Sequence, residues 1–221
     1  MNKLILMFML TFCLGCVLYA QDDAVLWTKD FEASAFAFPP NDNYVAVGAG
    51  GIGVAKFDIL TGEEIGRFPE IKNEGPISLS FSPDGKYLAG GSYYGRIFVW
   101  NTETGEETEI QDLGNTPGLD GQNAILDLEF SPDGSKLAVA AREKGVIIYE
   151  TGTWKILKHK EEIYNDAPYG DAPVPYVNVS FRYDSKVLAL SRTQAPHGVE
   201  LYGIEKDTVY KTYSPAEEGE F

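Results

Sequence analysis

Residues Ile77–Trp100, ISLSFSPDGKYLAGGSYYGRIFVW, read as three short strands joined by two tight turns. Ile77, Leu79 and Phe81 alternate with serines, the period-2 pattern of a strand with one buried face. Ser82-Pro83-Asp84-Gly85 then reverses the chain. Pro83 presets φ at the second turn position, Asp84 tolerates the third and Gly85 suits the fourth. A second strand covers Tyr87 to Ser92, a turn follows at Tyr94-Gly95, and a third strand covers Ile97 to Trp100.

The same unit returns along the chain. Aligned on the phenylalanine before the turn, it recurs at Phe38, Phe81, Phe130 and Phe181, at spacings of 43, 49 and 51 residues. The turns read Pro39-Pro40-Asn41-Asp42, Ser82-Pro83-Asp84-Gly85, Ser131-Pro132-Asp133-Gly134 and Arg182-Tyr183-Asp184-Ser185. An aliphatic-Ala pair follows each: Val45-Ala46, Leu88-Ala89, Leu137-Ala138 and Leu188-Ala189. The third strand recurs as Val54 to Phe57, Ile97 to Trp100, Val146 to Tyr149 and Val199 to Tyr202. Thr-Gly pairs at Thr61-Gly62, Thr104-Gly105 and Thr151-Gly152 predict a further turn, leading to a more polar fourth strand such as Glu64 to Phe68. Repeats in the forties with four strands each point to an all-β chain of propeller blades, because one blade alone cannot bury both faces of its sheet.

The run SPDGKYLAGGSYYGRIFVWN resembles a repeat of the WD-repeat β-propellers, and the four copies extend from about Ser34 to Tyr213. The resemblance implies blades at about 34–68, 76–110, 124–160 and 175–213, with 24–31 as an N-terminal outer strand. Three departures stand out. No copy has the family's Gly-His pair, Trp-Asp becomes Trp100-Asn101, Phe57-Asp58, Tyr149-Glu150 and Tyr202-Gly203, and Tyr94 replaces the turn aspartate. The family's Asp-His-Ser-Trp network therefore cannot form as such, and apolar packing must do more. Four blades need sixteen strands, whereas Ala24 to Phe31 makes a seventeenth, so the expectation is an incomplete or partial propeller. It would be a truncated reading frame or half of an assembly that self-associates to complete the ring; a closed four-blade ring is the alternative.

The turns between strands one and two and between strands three and four are tight. The longer insertions, Gln111 to Asn123, Glu161 to Val174 and Arg192 to Gly198, all fall on the opposite face. Long loops on a rigid scaffold commonly bind. That face would carry Arg142, Tyr164, Asp166, Tyr169, Asp171, Arg192 and His197, of which the tyrosines and arginines are types enriched at interaction hot spots. The expected partner is a protein or peptide, engaged by the long-loop face or the central channel.

The N-terminus differs from the rest. Lys3, an apolar run from Leu4 to Val17 and Leu18-Tyr19-Ala20 before Gln21 follow the order of a secretory signal peptide, residues 1–20, leaving 21–221 as the exported chain. The competing reading is a lipoprotein signal acylated at Cys16, weakened by Cys13 three positions earlier. The apolar run falls short of the ~20 residues of a stable membrane span. Both cysteines lie in this segment, which fits a periplasmic or extracellular setting without disulfides. The net charge of −15 disfavours nucleic acid and acidic membranes as partners.

Chemistry is sparse. His159 sits between two lysines and His197 lacks a patterned neighbour, so no metal-ligand spacing exists. Asp112, Asn115 and Asp120 lack a calcium-loop pattern, and the glycine run Gly48 to Gly53 lies between strands rather than before a helix. The expectation is a non-catalytic scaffold without cofactor or metal. The alternatives are a propeller enzyme, lactonase-like or another hydrolase or oxidoreductase, and a fragment whose activity lies in missing sequence. Fold alone does not choose among them.

Overall fold

The computed structural model describes residues 27–28, 32–40, 43–50, 53–69, 75–114, 123–161, 176–192 and 198–213. They form sixteen strands in four antiparallel four-stranded sheets. Blade 1 is β1 (Ala33–Ala37), β2 (Tyr44–Ala49), β3 (Gly53–Asp58) and β4 (Glu64–Arg67). Blade 2 is β5 (Pro76–Phe81), β6 (Tyr87–Ser92), β7 (Arg96–Asn101) and β8 (Glu107–Asp112). Blade 3 is β9 (Ile125–Phe130), β10 (Lys136–Ala141), β11 (Gly145–Glu150) and β12 (Ile156–Lys160). Blade 4 is β13 (Tyr176–Phe181), β14 (Val187–Arg192), β15 (Gly198–Gly203) and β16 (Thr208–Tyr213). Among the described residues there is no helix.

The first strands line an axis: β1 packs on β5, β5 on β9 and β9 on β13. No comparable packing joins β13 to β1, so the described blades form an open arc. Of the strand expected at 24–31, only Trp27 and Thr28 are described, and neither lies in a strand. Trp27 packs its ring on Phe57 at 6.2 Å and donates Nε1–H to the Ile59 carbonyl at 2.8 Å. Phe68 covers Trp100 of the next blade in a similar way, with ring centroids 5.8 Å apart.

Apolar interdigitation holds neighbouring blades together. Leu88, Phe98 and Trp100 pack against Ala46, Val54 and Phe68; Leu137, Val139, Ile147 and Tyr149 against Ala89, Ile97 and Val99; and Leu188, Leu190 and Tyr202 against Ala138, Ala140, Val146 and Ile148. Each fully buried side chain of this size contributes about 1.5–3 kcal/mol. A small residue near the end of each second strand seats the start of the next blade. A Cβ at Gly48 would lie 2.6 Å from Pro76 Cγ, one at Gly91 would lie 2.2 Å from Ile125 Cγ2, and Ala140 shares a core with Tyr176. The indole N–H of Trp100 is buried without an acceptor, in keeping with the missing family network.

The turns show why the aspartates recur. Asp133 Oδ1 accepts from Ser131 Oγ at 2.7 Å and from the Ser135 backbone N–H at 2.9 Å, while Lys136 N–H donates to Ser131 Oγ at 2.9 Å. The Ser82–Tyr87 turn repeats this scheme through Asp84. These bonds to the ionised form hold both carboxyls below the usual range. In blade 4, Arg182 pairs with Asp184 instead, and Ser185 takes the glycine's place at φ 58°.

The second tight turn corrects one sequence expectation. Its fifth residue is left-handed in every blade: Gly62 at φ 69°, Gly105 at 72°, Trp154 at 56° and Asp207 at 52°. The third copy is thus not centred on Thr151-Gly152. Thr153 corresponds to Thr61 and Thr104, since each hydroxyl accepts from the backbone N–H two residues on. Trp154 bears the roughly 1–2 kcal/mol left-handed cost. Its ring is held edge-to-face on Tyr87 at 5.3 Å, and packs 6.4 Å from Phe130.

Candidate functional site

The chain enters each blade at the long-loop end of its first strand, leaves the second strand there and starts the third there. In blade 2 the residues at that end are Pro76, Ser92 and Phe98; in blade 3 they are Ile125, Ala141 and Ile147. In blade 4 the same positions hold Tyr176, Arg192 and Glu200. Three adjacent strands have exchanged mainly apolar packing for a polar set against blade 3.

The set is tightly connected. Tyr176, with no exposed surface, donates its hydroxyl to Glu200 Oε2 at 2.9 Å and accepts from Arg192 Nη2 at 2.5 Å. Arg192 Nη2 lies 3.3 Å from Glu200 Oε1, and its guanidinium stacks 4.2 Å from the Tyr176 ring centroid. Lys160, the last residue of β12 in blade 3, brings its ammonium to 3.6 Å from Glu200 Oε2 and over the rings of Tyr176 and Tyr202. Only 18–20% of the Lys160, Arg192 and Glu200 side chains is exposed, so their attraction is far less screened than a surface pair's. Burial raises the Tyr176 hydroxyl above its ordinary pKa, with Lys160 and Arg192 pulling the other way. Arg192 Nε is buried without a hydrogen-bond partner.

In sequence the floor is interrupted between Lys160 and Tyr176 and between Arg192 and Gly198. Tyr164, Asp166, Tyr169, Asp171 and His197, expected on the binding face, lie outside the described residues. Of the two described candidates, Arg192 is in the cluster. Arg142 is in the blade 3 turn, half-buried, with its backbone N–H on the Ala124 carbonyl at 2.9 Å. No described contact joins the two arginines.

Sequence reasoning missed Tyr176, Glu200 and Lys160. Glu200 was legible, because it interrupts a column that otherwise reads Ala55, Phe98 and Ile147. Also missed was the exposed Tyr93–Tyr94 pair on the same face, in edge-to-face contact at 5.5 Å. The axis carries further polar groups. Asp127 Oδ2 accepts from Val179 N–H at 2.9 Å and Glu129 Oε2 from Phe181 N–H at 2.7 Å, where blade 2 has Ser78 and Ser80. Burial raises both carboxyls above the usual range. Asp127, Ser78, Ser34 and Phe36 line an axial depression of about 220 Å³. Among the described residues, no three of His, Cys, Asp and Glu are grouped to hold a metal ion.

The family model "WD domain, G-beta repeat" matches residues 66–101, from the end of blade 1 through the third strand of blade 2. WD repeat-containing protein 82 of Drosophila melanogaster is 26% identical over 114 residues, 51% of this chain and 34% of that protein. The periodic tryptophan protein 2 homolog of Dictyostelium discoideum is 24% identical over 201 residues, 83% of this chain and 20% of that protein. Residues 66–101 thus carry a WD repeat. Among solved structures, a chain of hydrazine synthase from Kuenenia stuttgartiensis superimposes with a TM-score of 0.65 at 18% identity, over 89% of this chain and 53% of that one. At that identity the likeness shows the propeller fold alone. The chain spans about a third or less of the length of these two relatives.

Proposed function

We propose that this WD-repeat chain is an exported, non-catalytic scaffold that binds a protein or peptide through its long-loop face, at the junction of blades 3 and 4. The replacement of three packed positions by Tyr176, Arg192 and Glu200 carries the reading. Burying a connected polar set in place of apolar packing is neutral at best for stability, so a role in recognition accounts for it better than a role in folding. With Lys160, the cluster holds two cations and one carboxylate in a chain whose net charge is −15. An acidic side chain of the partner is the group this floor favours. The leader-like N-terminus supports export, and the sparse histidines support a binding rather than catalytic role.

Selection of displayed random peptides on the purified protein tests the reading. Acidic sequences should be enriched, and Arg192→Gln should abolish the enrichment while the protein still melts in one cooperative transition, at a temperature lowered by the lost bonds to Tyr176 and Glu200. Enrichment of basic or purely apolar sequences, or no effect of Arg192→Gln, would refute it.

A further inference from the structure

The carboxylate at the centre of the polar floor is the chain's own. Glu200 stands in the third-strand column that reads Ala55, Phe98 and Ile147 in blades 1 to 3, and its side chain reaches Lys160 of blade 3 across the seam. Its two oxygens meet three groups. Oε2 accepts from the Tyr176 hydroxyl at 2.9 Å and lies 3.6 Å from the Lys160 ammonium, while Oε1 lies 3.3 Å from Arg192 Nη2.

This seat is imperfectly filled. Charge-assisted bonds from a cationic N–H to a carboxylate close to about 2.7–2.9 Å, and the Arg96–Glu109 pair in blade 2 reaches 2.8 Å. Both ion pairs of Glu200 are longer than that. Arg192 meets Glu200 through Nη2, the nitrogen that also bonds Tyr176 at 2.5 Å, while its Nε is buried with no hydrogen-bond partner. Two cations thus face one carboxylate, with donor capacity left over. The three charged side chains keep 18–20% of their surface exposed, so a group from outside can reach the seat.

We infer, resting on the acidic-partner reading above, that Glu200 is a built-in competitor. It occupies the seat that an acidic side chain of the partner takes on binding, and it turns out to solvent when displaced. A tethered group acts at an effective concentration in the millimolar range, so free small acids are held off. A partner's carboxylate gains entry when further contacts with the long-loop face hold it there. Glu200 therefore sets the threshold of recognition as well as joining the blades.

Binding of an end-blocked triglutamate peptide, measured by calorimetry on the full chain and two variants, tests this. Glu200→Gln removes the charge and keeps the shape, whereas Glu200→Asp keeps the charge and draws the carboxylate back by one methylene. Displacement makes both variants bind at least about fivefold more tightly than the unaltered protein. A gain in Glu200→Gln alone would mean that Glu200 acts only through its field, and equal affinity in all three would mean that it does not occupy the seat. Either result overturns the inference and leaves the acidic-partner reading intact. Acetate probes the seat without the peptide: it should raise the melting temperature of Glu200→Ala above that in equal chloride, and leave the unaltered protein unchanged. No acetate effect on a folded Glu200→Ala overturns the inference; if that variant does not fold, the peptide series decides alone. Acetate rescue with no peptide bound by any of the proteins overturns the acidic-partner reading, and the competition with it.

Discussion

The polar floor at the blade 3–4 junction yields a prediction with a built-in control, because blade 3 shows what the same positions look like when apolar. Glu200→Ile alone leaves the Arg192 guanidinium, 18% exposed, with only the Tyr176 hydroxyl, and should destabilise by about 2–4 kcal/mol. Arg192→Ala alone leaves Glu200 with Lys160 at 3.6 Å and Tyr176 at 2.9 Å and should cost about 1–3 kcal/mol. Tyr176→Ile removes both hydroxyl bonds and part of a fully buried ring, at about 2–3 kcal/mol. Were these effects independent, the triple variant would lose about 5–10 kcal/mol.

They are not independent in this geometry, since each side chain is the others' hydrogen-bond partner. The triple variant Tyr176→Ile/Arg192→Ala/Glu200→Ile reproduces Ile125, Ala141 and Ile147 of blade 3 and leaves no buried charge unpaired except partly exposed Lys160. It should unfold within about 1 kcal/mol of the unaltered protein, or above it. Urea unfolding monitored by tryptophan fluorescence measures this, with an unchanged slope confirming that the same surface is exposed. A triple variant that loses the full additive sum would refute the coupling. If the triple variant is stable yet no longer selects acidic peptides, the cluster serves recognition rather than folding.

Three further outcomes follow. Asp127 and Glu129 have raised folded pKa values, so the stability they contribute is present below the unfolded carboxylate range and is lost as pH rises through the folded values. The lowered Asp84 and Asp133 behave oppositely, losing their contribution as pH falls below about 4. Melting temperature should thus rise as pH falls through the raised folded values of Asp127 and Glu129 and drop again below about 4, with Asp127→Asn/Glu129→Gln flattening the upper limb; an unchanged limb would refute the assignment. Gly91→Ala should destabilise by about 1–3 kcal/mol in denaturant titration, because its Cβ would lie 2.2 Å from Ile125 Cγ2 and 2.5 Å from Ile125 Cβ; an unchanged midpoint would refute the close approach. Ser185→Ala keeps φ at 58° and loses the bond from Asp133 N–H at 3.1 Å, costing about 1–2 kcal/mol, whereas Ser185→Gly relieves the backbone and should cost less than about 1 in the same assay.

The architecture was readable because its determinants are local. Alternation fixes which side chains face a neighbouring blade, and Ser-Pro-Asp-Gly carries its own hydrogen-bond scheme, so phenylalanine spacing sufficed to place four sheets. The turn at Thr151-Gly152 is present, with Gly152 left-handed at φ 87°, but its register is two residues on from the pair, because the position equivalent to Gly62 and Gly105 is Trp154, held by its contacts with Tyr87 and Phe130. The site was half legible. Arg192 was found as a loop residue, but its partners Tyr176, Glu200 and Lys160 lie 16, 8 and 32 positions away on three other strands. Only comparison of the repeats column by column brings them together.

That comparison also locates where this propeller has specialised. The junctions of blades 1 with 2 and 2 with 3 are joined near the axis by serines: Ser34 to the Pro76 carbonyl at 2.7 Å, and Ser80 accepting from Phe130 N–H at 3.3 Å. The junction of blades 3 and 4 uses two half-buried carboxylates there, Asp127 and Glu129, and the Tyr176–Arg192–Glu200 set at the loop face. The sequence separation between its strands β12 and β13 is also the longest between blades. A junction optimised for cohesion alone would resemble its neighbours, since apolar packing and neutral hydroxyls avoid the desolvation cost of charge. Arg96, 17% exposed and paired with Glu109 at 2.8 Å, puts one charge at the loop end of blade 2 as well, but only the blade 3–4 interface carries charge at both its ends among the described residues, as expected of the seam proposed for recognition. The coupled loss in the Tyr176, Arg192 and Glu200 series and the pH response of Asp127 and Glu129 should therefore both map to blade 4 in hydrogen exchange, leaving blades 1 and 2 unchanged; spread evenly over the arc, they would place the specialisation elsewhere.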